Sequence, residues 1–418
     1  MRLTVAAARA SRSAWWPAIL LGLATIGAYG TTYYAIGVLI PVIAEDTGWG
    51  TGVLASAFSV GVLGQAPVAL LAGRVFDRHG SAPILVSALV VGCTCLLLSS
   101  FATSPAAFVV PWALGAAVIS GGLQYNVTMP ATARLYPERR SAALGVLTFL
   151  GALASPIFYP VAGWLVEAHG WETAIRALVA LSALFAAPAA LLVRAPRAAT
   201  RPQGSTLAAL RLAARTPAIA RLLVHFALGS AASSALLLFQ FSAFQAAGLA
   251  VGVASTMAGV RGLMQIPGRL AIAPLVGRFG LSPAVAASHG AALLGTMALV
   301  AAIAGGPALP LAIAFAAIAG MSLGLLSPLN GLMQAEVYGD ARLGTLSGAT
   351  VLVTSAATAS GAWLVGAVVD GTGSTATGLL AVAAGQALAI LALGWQRRAA
   401  AAEDGPGPWS HSAGTPAS

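Results

Sequence analysis

The chain has 418 residues, 58% apolar and 8% charged, with a formal net charge of +10 and a mean hydropathy of +0.88. A soluble globular protein carries about 25% charged residues, so this composition excludes a water-soluble fold and calls for an integral membrane protein. The pI near 10.7 does not imply nucleic acid, because the basic residues, all 21 of them arginine, are scattered between apolar runs and form no patch with interleaved aromatics.

A bilayer core of about 30 Å needs roughly 20 apolar residues per helix. After a polar tail at 1–14, the sequence predicts a first half at 15–193 with runs at 16–41, 52–73, 82–101, 106–132, 142–166 and 174–193. The first run is too long for a signal-peptide core, and it places Tyr29 and Tyr33 one helical turn apart. The loop after the second run reads "GRVFDRHG". The third run holds Cys93 and Cys95, which face different ways on a helix and read as packing residues. The fourth carries Gln124, Tyr125 and Asn126; its "NVT" matches a glycosylation pattern but lies inside a span. "YPERR" (136–140) reads as a loop with structural salt links. A polar linker at 194–216 separates the halves. The second half, 217–396, has runs at 219–246, 251–276, 283–304, 309–333, 345–368 and 375–395. Its Gln240 and Asn330 are amides at membrane depth, and its His225 and His289 read as packed neutral rings. The tail at 397–418 lacks the apolar residues for a core and is predicted disordered.

Arginines cluster on the cytoplasmic side of membrane proteins. With the N-terminus inside, 19 of the 21 arginines fall in cytoplasmic segments, Arg269 and Arg278 among them. Both termini are therefore expected in the cytoplasm, on the inner membrane of a cell. The exceptions are Arg176, near the start of the sixth run, and Arg261.

The two halves repeat. At an offset of 200, Gln65 matches Gln265, Pro67 matches Pro267, Arg78 matches Arg278 and Gly80 matches Gly280; "WLV" at 164–166 recurs at 363–365. Parallel repeats facing each other around a midplane site are transporter architecture. Within the loop at 73–80, Gly73, Asp77, Arg78 and Gly80 resemble the G-x-x-x-D-R-x-G motif of the major facilitator superfamily. That resemblance covers the whole chain and implies an all-α membrane protein of twelve helices in two pseudo-symmetric halves of six. The glycines suit a tight turn and close helix approach, and Asp77 suits a conformational latch with a neighbouring arginine or helix end. In the second copy Gly277 replaces the acid, so the latch is expected to rest on Asp77.

Arg261 sits about ten residues into the eighth run, and its charge cannot be shed. Burying it costs several kcal/mol, yet every acid falls in a loop, a tail or a helix end. Either backbone carbonyls, Gln265 or interfacial water satisfy it, or the missing counter-charge is an anionic substrate held in a forked ion pair. An arginine in the eighth helix, together with an aromatic first span running into an acidic loop, is similar to the monocarboxylate transporter and oxalate–formate antiporter group. That similarity implies Arg261 as carboxylate anchor, with Tyr29, Tyr33 and Tyr125 lining the cavity. Gln265, Asn126, Gln240 and Asn330 complete the expected substrate-binding set. Two departures matter: the chain has no lysine to serve as a second buried cation, and Met257 stands where such carriers keep an aspartate. One cation favours a monocarboxylate, moved by proton symport or anion exchange.

No catalytic triad, metal-ligand spacing or phosphate-cradling loop is evident, so no enzyme, no metal and no cofactor are expected, and transport is secondary. The expected partners are a small organic anion and the lipid bilayer, with no nucleic acid and a monomeric chain. An efflux carrier for neutral amphipathic compounds is the rival within the fold, and a non-transporting membrane sensor the rival outside it.

Overall fold

The computed structural model describes residues 15–196, 211–212, 215–338 and 340–403, with 340–345 and 395–403 as backbone only. The expected tails at 1–14 and 404–418, and the linker residues 197–210 and 213–214, lie outside the described residues. Among the described residues every regular element is helical. Ten stretches of these described residues are long and apolar enough to cross a membrane. The difference from twelve has two local causes.

In order, α1 is Trp16–Thr47, α2 Thr51–His79, α3 Ala82–Ser99 and α4 Pro105–Leu135. The segment from Arg140 to Leu192 runs on without an unstructured loop, but Gly170 (φ 75°, ψ 169°) divides it into α5 at 140–169 and α6 at 171–192. That backbone conformation is open to glycine alone. Then follow α7 (Pro217–Ala246) and α8, which is broken into Val251–Leu263, Gln265–Leu270 and Ile272–Phe279, none of them long enough to span a bilayer by itself. The last four are α9 (Leu281–Ile303), α10 (Ala308–Tyr338), α11 (Asp340–Thr372) and α12 (Thr375–Glu403). Residues 397–403, expected in the polar tail, continue α12 instead; their four alanines have the highest helix propensity.

The repeat is visible in the backbone. Gly80 (φ 83°, ψ −173°) and Gly280 (φ 84°, ψ 167°) end α2 and the last piece of α8 in the same turn. Large apolar side chains such as Leu70, Leu184, Leu270 and Leu391 cover the outer surface, as a lipid-facing wall requires.

The halves meet where α2 packs on α11, α5 on α8 and α1 on α7. Since α2 repeats as α8 and α5 as α11, the first two contacts are one contact seen from each half. Close approaches between the halves run from the middle of the spans, where a Cβ on Gly262 would run into Ser155 Oγ, to the end away from the chain termini. A Cβ on Gly163 would fall 2.3 Å from Ser255 Oγ, and one on Gly37 3.0 Å from the Leu238 carbonyl oxygen. At that end Asp370, on α11, accepts hydrogen bonds from the backbone N–H of Thr51 (2.9 Å), the N–H of Gly52 (2.6 Å) and the Thr51 hydroxyl. A carboxylate from one half thus caps the N-terminus of a helix in the other, a favourable place for negative charge. Arg176 donates to Ser100 at the C-terminus of α3 (3.1 and 3.3 Å), which gives this far-end arginine a capping role.

Within the second half, α8 and α10 touch backbone to backbone. A Cβ on Gly324 would meet the Gln265 carbonyl oxygen at 2.2 Å, whereas one on Gly73 meets nothing within 4 Å. Gly324→Ala should therefore cost about 1–3 kcal/mol through overpacking and lower the thermal-unfolding midpoint in detergent, while Gly73→Ala leaves it in place.

Candidate functional site

Two adjoining cavities lined by both halves lie on the termini side of the far-end seal. The larger, about 340 Å3, has a wall of Tyr29, Tyr33, Tyr34 and Tyr125 from the first half. The second half supplies Ser230, Ser233, Ser234, Ser327 and Thr358, with Gln265 and Arg269. The smaller, about 10 Å3, lies against Arg261, Gln240, Tyr159 and Ser155 and has room for about one water molecule. Tyr34, Leu237, Gln265 and Leu323 line both cavities and so form the partition between them.

The tyrosine wall depends on an irregular turn. Residues Gly30–Ala35 form a π-helix inside α1. In a regular α-helix Tyr34 would point about 140° away from Tyr29; an i→i+5 turn brings the two toward one face. The rings of Tyr29 and Tyr33 are 5.4 Å apart and those of Tyr29 and Tyr125 5.2 Å, both spacings of favourable aromatic pairs. Behind them a polar network holds the wall: Tyr33 donates to Gln65 (3.1 Å), and Gln124 donates to Thr32 (3.2 Å) and Ser120 (3.1 Å). Gln124 itself is extended (φ −91°, ψ −172°) and breaks α4, so that Tyr125 starts a new helical segment at the cavity.

Arg261 is 3% exposed. Its Nη1 donates to Gln240 Oε1 (2.9 Å), and Gln240 Nε2 donates in turn to the Tyr159 hydroxyl (2.6 Å), which donates to the Leu237 carbonyl (3.1 Å). The guanidinium carbon lies 5.5 Å from the centre of the Phe315 ring, within cation–π range. Its Nε is buried without a hydrogen-bond partner. Among the described residues the one salt bridge is Arg134–Asp77, so the protein anchors Arg261 by one arm and leaves its charge uncompensated.

Of the eight expected substrate-binding residues, six line a cavity: Tyr29, Tyr33 and Tyr125 the larger, Arg261 and Gln240 the smaller, and Gln265 both. Two do not. Asn126 donates to the Ser120 carbonyl at 3.5 Å, and Asn330 lines neither cavity, its Oδ1 buried without a partner. Sequence reasoning missed Tyr34, which the π-turn re-aims, and did not count Arg269 among the cavity residues, although it lines the larger cavity. On an unbroken helix eight residues advance about 800°, which leaves Arg269 about 80° off the direction of Arg261; the break at Met264 and the missing N–H of Pro267 relax that constraint. Two arginines therefore line the interior, one in each chamber.

The latch residues sit at the termini end. Asp77 accepts from Arg134 Nη2 (2.8 Å), and Arg134 also donates to the Pro196 carbonyl (3.3 Å) and stacks on Phe76. The bond stays inside the first half, so in this conformation it holds α2 to α4 and does not lock the halves together. Gly80 makes the expected tight turn: its φ is 83°, and a Cβ would fall 2.8 Å from the Ala195 carbonyl oxygen. Gly73 does not serve close approach, having open space around it, and Arg78 is exposed.

The family model described as Major Facilitator Superfamily matches residues 21–306. Multidrug resistance protein MdtL of Klebsiella pneumoniae (strain 342) is 28% identical over 180 residues, 42% of this chain and 44% of that protein. Monocarboxylate transporter 13 of Rattus norvegicus is 29% identical over 138 residues, 32% of this chain and 31% of that one. The chain thus spans less than half the length of the curated relatives it matches. A crystal structure of the nucleoside transporter NupG superposes with a TM-score of 0.75 at 15% identity, covering 92% of this chain and 99% of that one; this likeness is one of fold.

Proposed function

The chain belongs to the major facilitator superfamily, and on that premise we propose that it is a secondary transporter of a small organic anion, a monocarboxylate before others, working by alternating access around Arg261. The observation that carries this reading is a buried guanidinium with a free Nε and no ion pair. A fixed positive charge in a low-dielectric interior attracts anions and repels cations. Each chamber offers one cation, which matches one carboxylate. Among the described residues no aspartate or glutamate lines either cavity, so a coupled proton travels on the substrate, or the protein exchanges one anion for another. The arginine distribution supports cytoplasmic termini, hence a cavity on the cytoplasmic side in the conformation described.

The similarity to a multidrug resistance protein favours a second reading, export of neutral amphipathic compounds, with Arg261 as a structural group. Proteoliposomes separate the two. Saturable uptake of radiolabelled carboxylates, with neutral amides of the same shape excluded, is the expected result; transport of neutral compounds and of no anion overturns the anion reading. A pH gradient is expected to drive uptake if the substrate carries the proton, while flux that requires a trans anion and ignores pH identifies exchange.

A further inference from the structure

Arg269 is the cation that a solute in the larger cavity meets. It stands on the short α8 segment Gln265–Leu270 and lines the cavity of about 340 Å3, whereas Arg261 lies behind the partition. Its Nε is buried without a hydrogen-bond partner. Across the same cavity stand Tyr29, Tyr33, Tyr34 and Tyr125. The volume falls in the lower part of the range of ligand pockets, about 300–1,000 Å3, and a two-carbon acid would leave most of it empty. A guanidinium facing an aromatic wall suits a ligand with a carboxylate at one end and a flat apolar ring at the other.

We propose that the larger cavity binds a ring-bearing monocarboxylate, its carboxylate on Arg269 and its ring against Tyr29 and Tyr125, and that Arg261 receives the carboxylate when the Tyr34–Gln265 partition opens. Arg269 is then the receiving station and Arg261 the inner one. This deepens the anion reading above and rests on it.

Equilibrium binding to the purified full-length protein tests the idea, with benzoate as probe and benzamide and acetate as comparators. Benzoate is expected to bind about tenfold or more tightly than either, the value of one charge-assisted pair or of one buried ring. Arg269→Gln is expected to lose about tenfold in benzoate affinity, and Arg269→Lys to recover part of it. If Arg269→Gln does not fold, Tyr125→Leu carries the test: it is expected to weaken benzoate and leave acetate unchanged. Equal binding of acetate and benzoate, or unaltered benzoate affinity in Arg269→Gln, overturns the inference; carboxylate uptake that still depends on Arg261 would leave the proposed function standing. Benzamide binding as tightly as benzoate, or a wild-type protein that binds none of the three, overturns the inference and counts against the anion reading as well.

Discussion

Arg261→Gln is expected to cut carboxylate uptake into proteoliposomes about 10- to 100-fold while leaving the protein folded and as heat-stable as wild type, or more so. The transport loss follows from removing a hydrogen-bonded charge partner, worth about 1.5–3 kcal/mol. The stability half follows from desolvation. A buried guanidinium without a counter-charge is costly, and its single anchoring bond, to Gln240 at 2.9 Å, is one that a glutamine amide can replace. The two halves have opposite signs for opposite roles. A structural arginine, once removed, would lower the unfolding midpoint and spare transport. That pattern, melting lost and uptake kept, would sink the anion anchor. Arg261→Lys keeps the charge but not the fork and should fall between.

Much of this was readable from residue order, and the failures share one cause. The number of spans, the repeat at 200 residues and the charge asymmetry depend on composition over twenty or more residues, where local irregularity averages out. Arg261 was legible because a charge in a greasy run needs no geometry to be conspicuous. Tyr34 and Arg269 were not, since both rest on departures from 100° per residue: the π-turn at Gly30–Ala35 and the breaks around Gln265–Leu270. Asn126 and Asn330 lie outside both cavities, and residue order alone does not tell a cavity amide from one that faces another helix: Asn126 donates to the Ser120 carbonyl.

Asp370→Ala is expected to open the far end. The carboxylate ties α11 to the N-terminus of α2 through the N–H groups of Thr51 and Gly52, and a Cβ on Gly52 would fall 2.8 Å from Asp370 Oδ2. Loss of such a cap costs about 1–2 kcal/mol, allowing for exposure to water. Because the bond spans the two halves, the cost falls on the closed-far-end state and shifts its balance with the opposite state about 5- to 30-fold. Spin labels at Glu167 and Thr372, both exposed, with Cys93 and Cys95 replaced, would report a new longer distance. An unchanged distance distribution would mean that helix packing alone closes this end.

The π-turn in α1 amounts to one residue more than a regular helix has room for. Deleting a single position there would act unlike any substitution. It would restore ordinary winding and leave Tyr29 and Tyr34 at i and i+4, still on one face, so the later part of the span would keep its direction while one side chain inside the turn is lost. The wide turn thus lets Tyr33 and Tyr34, neighbours in the chain, both line the larger cavity.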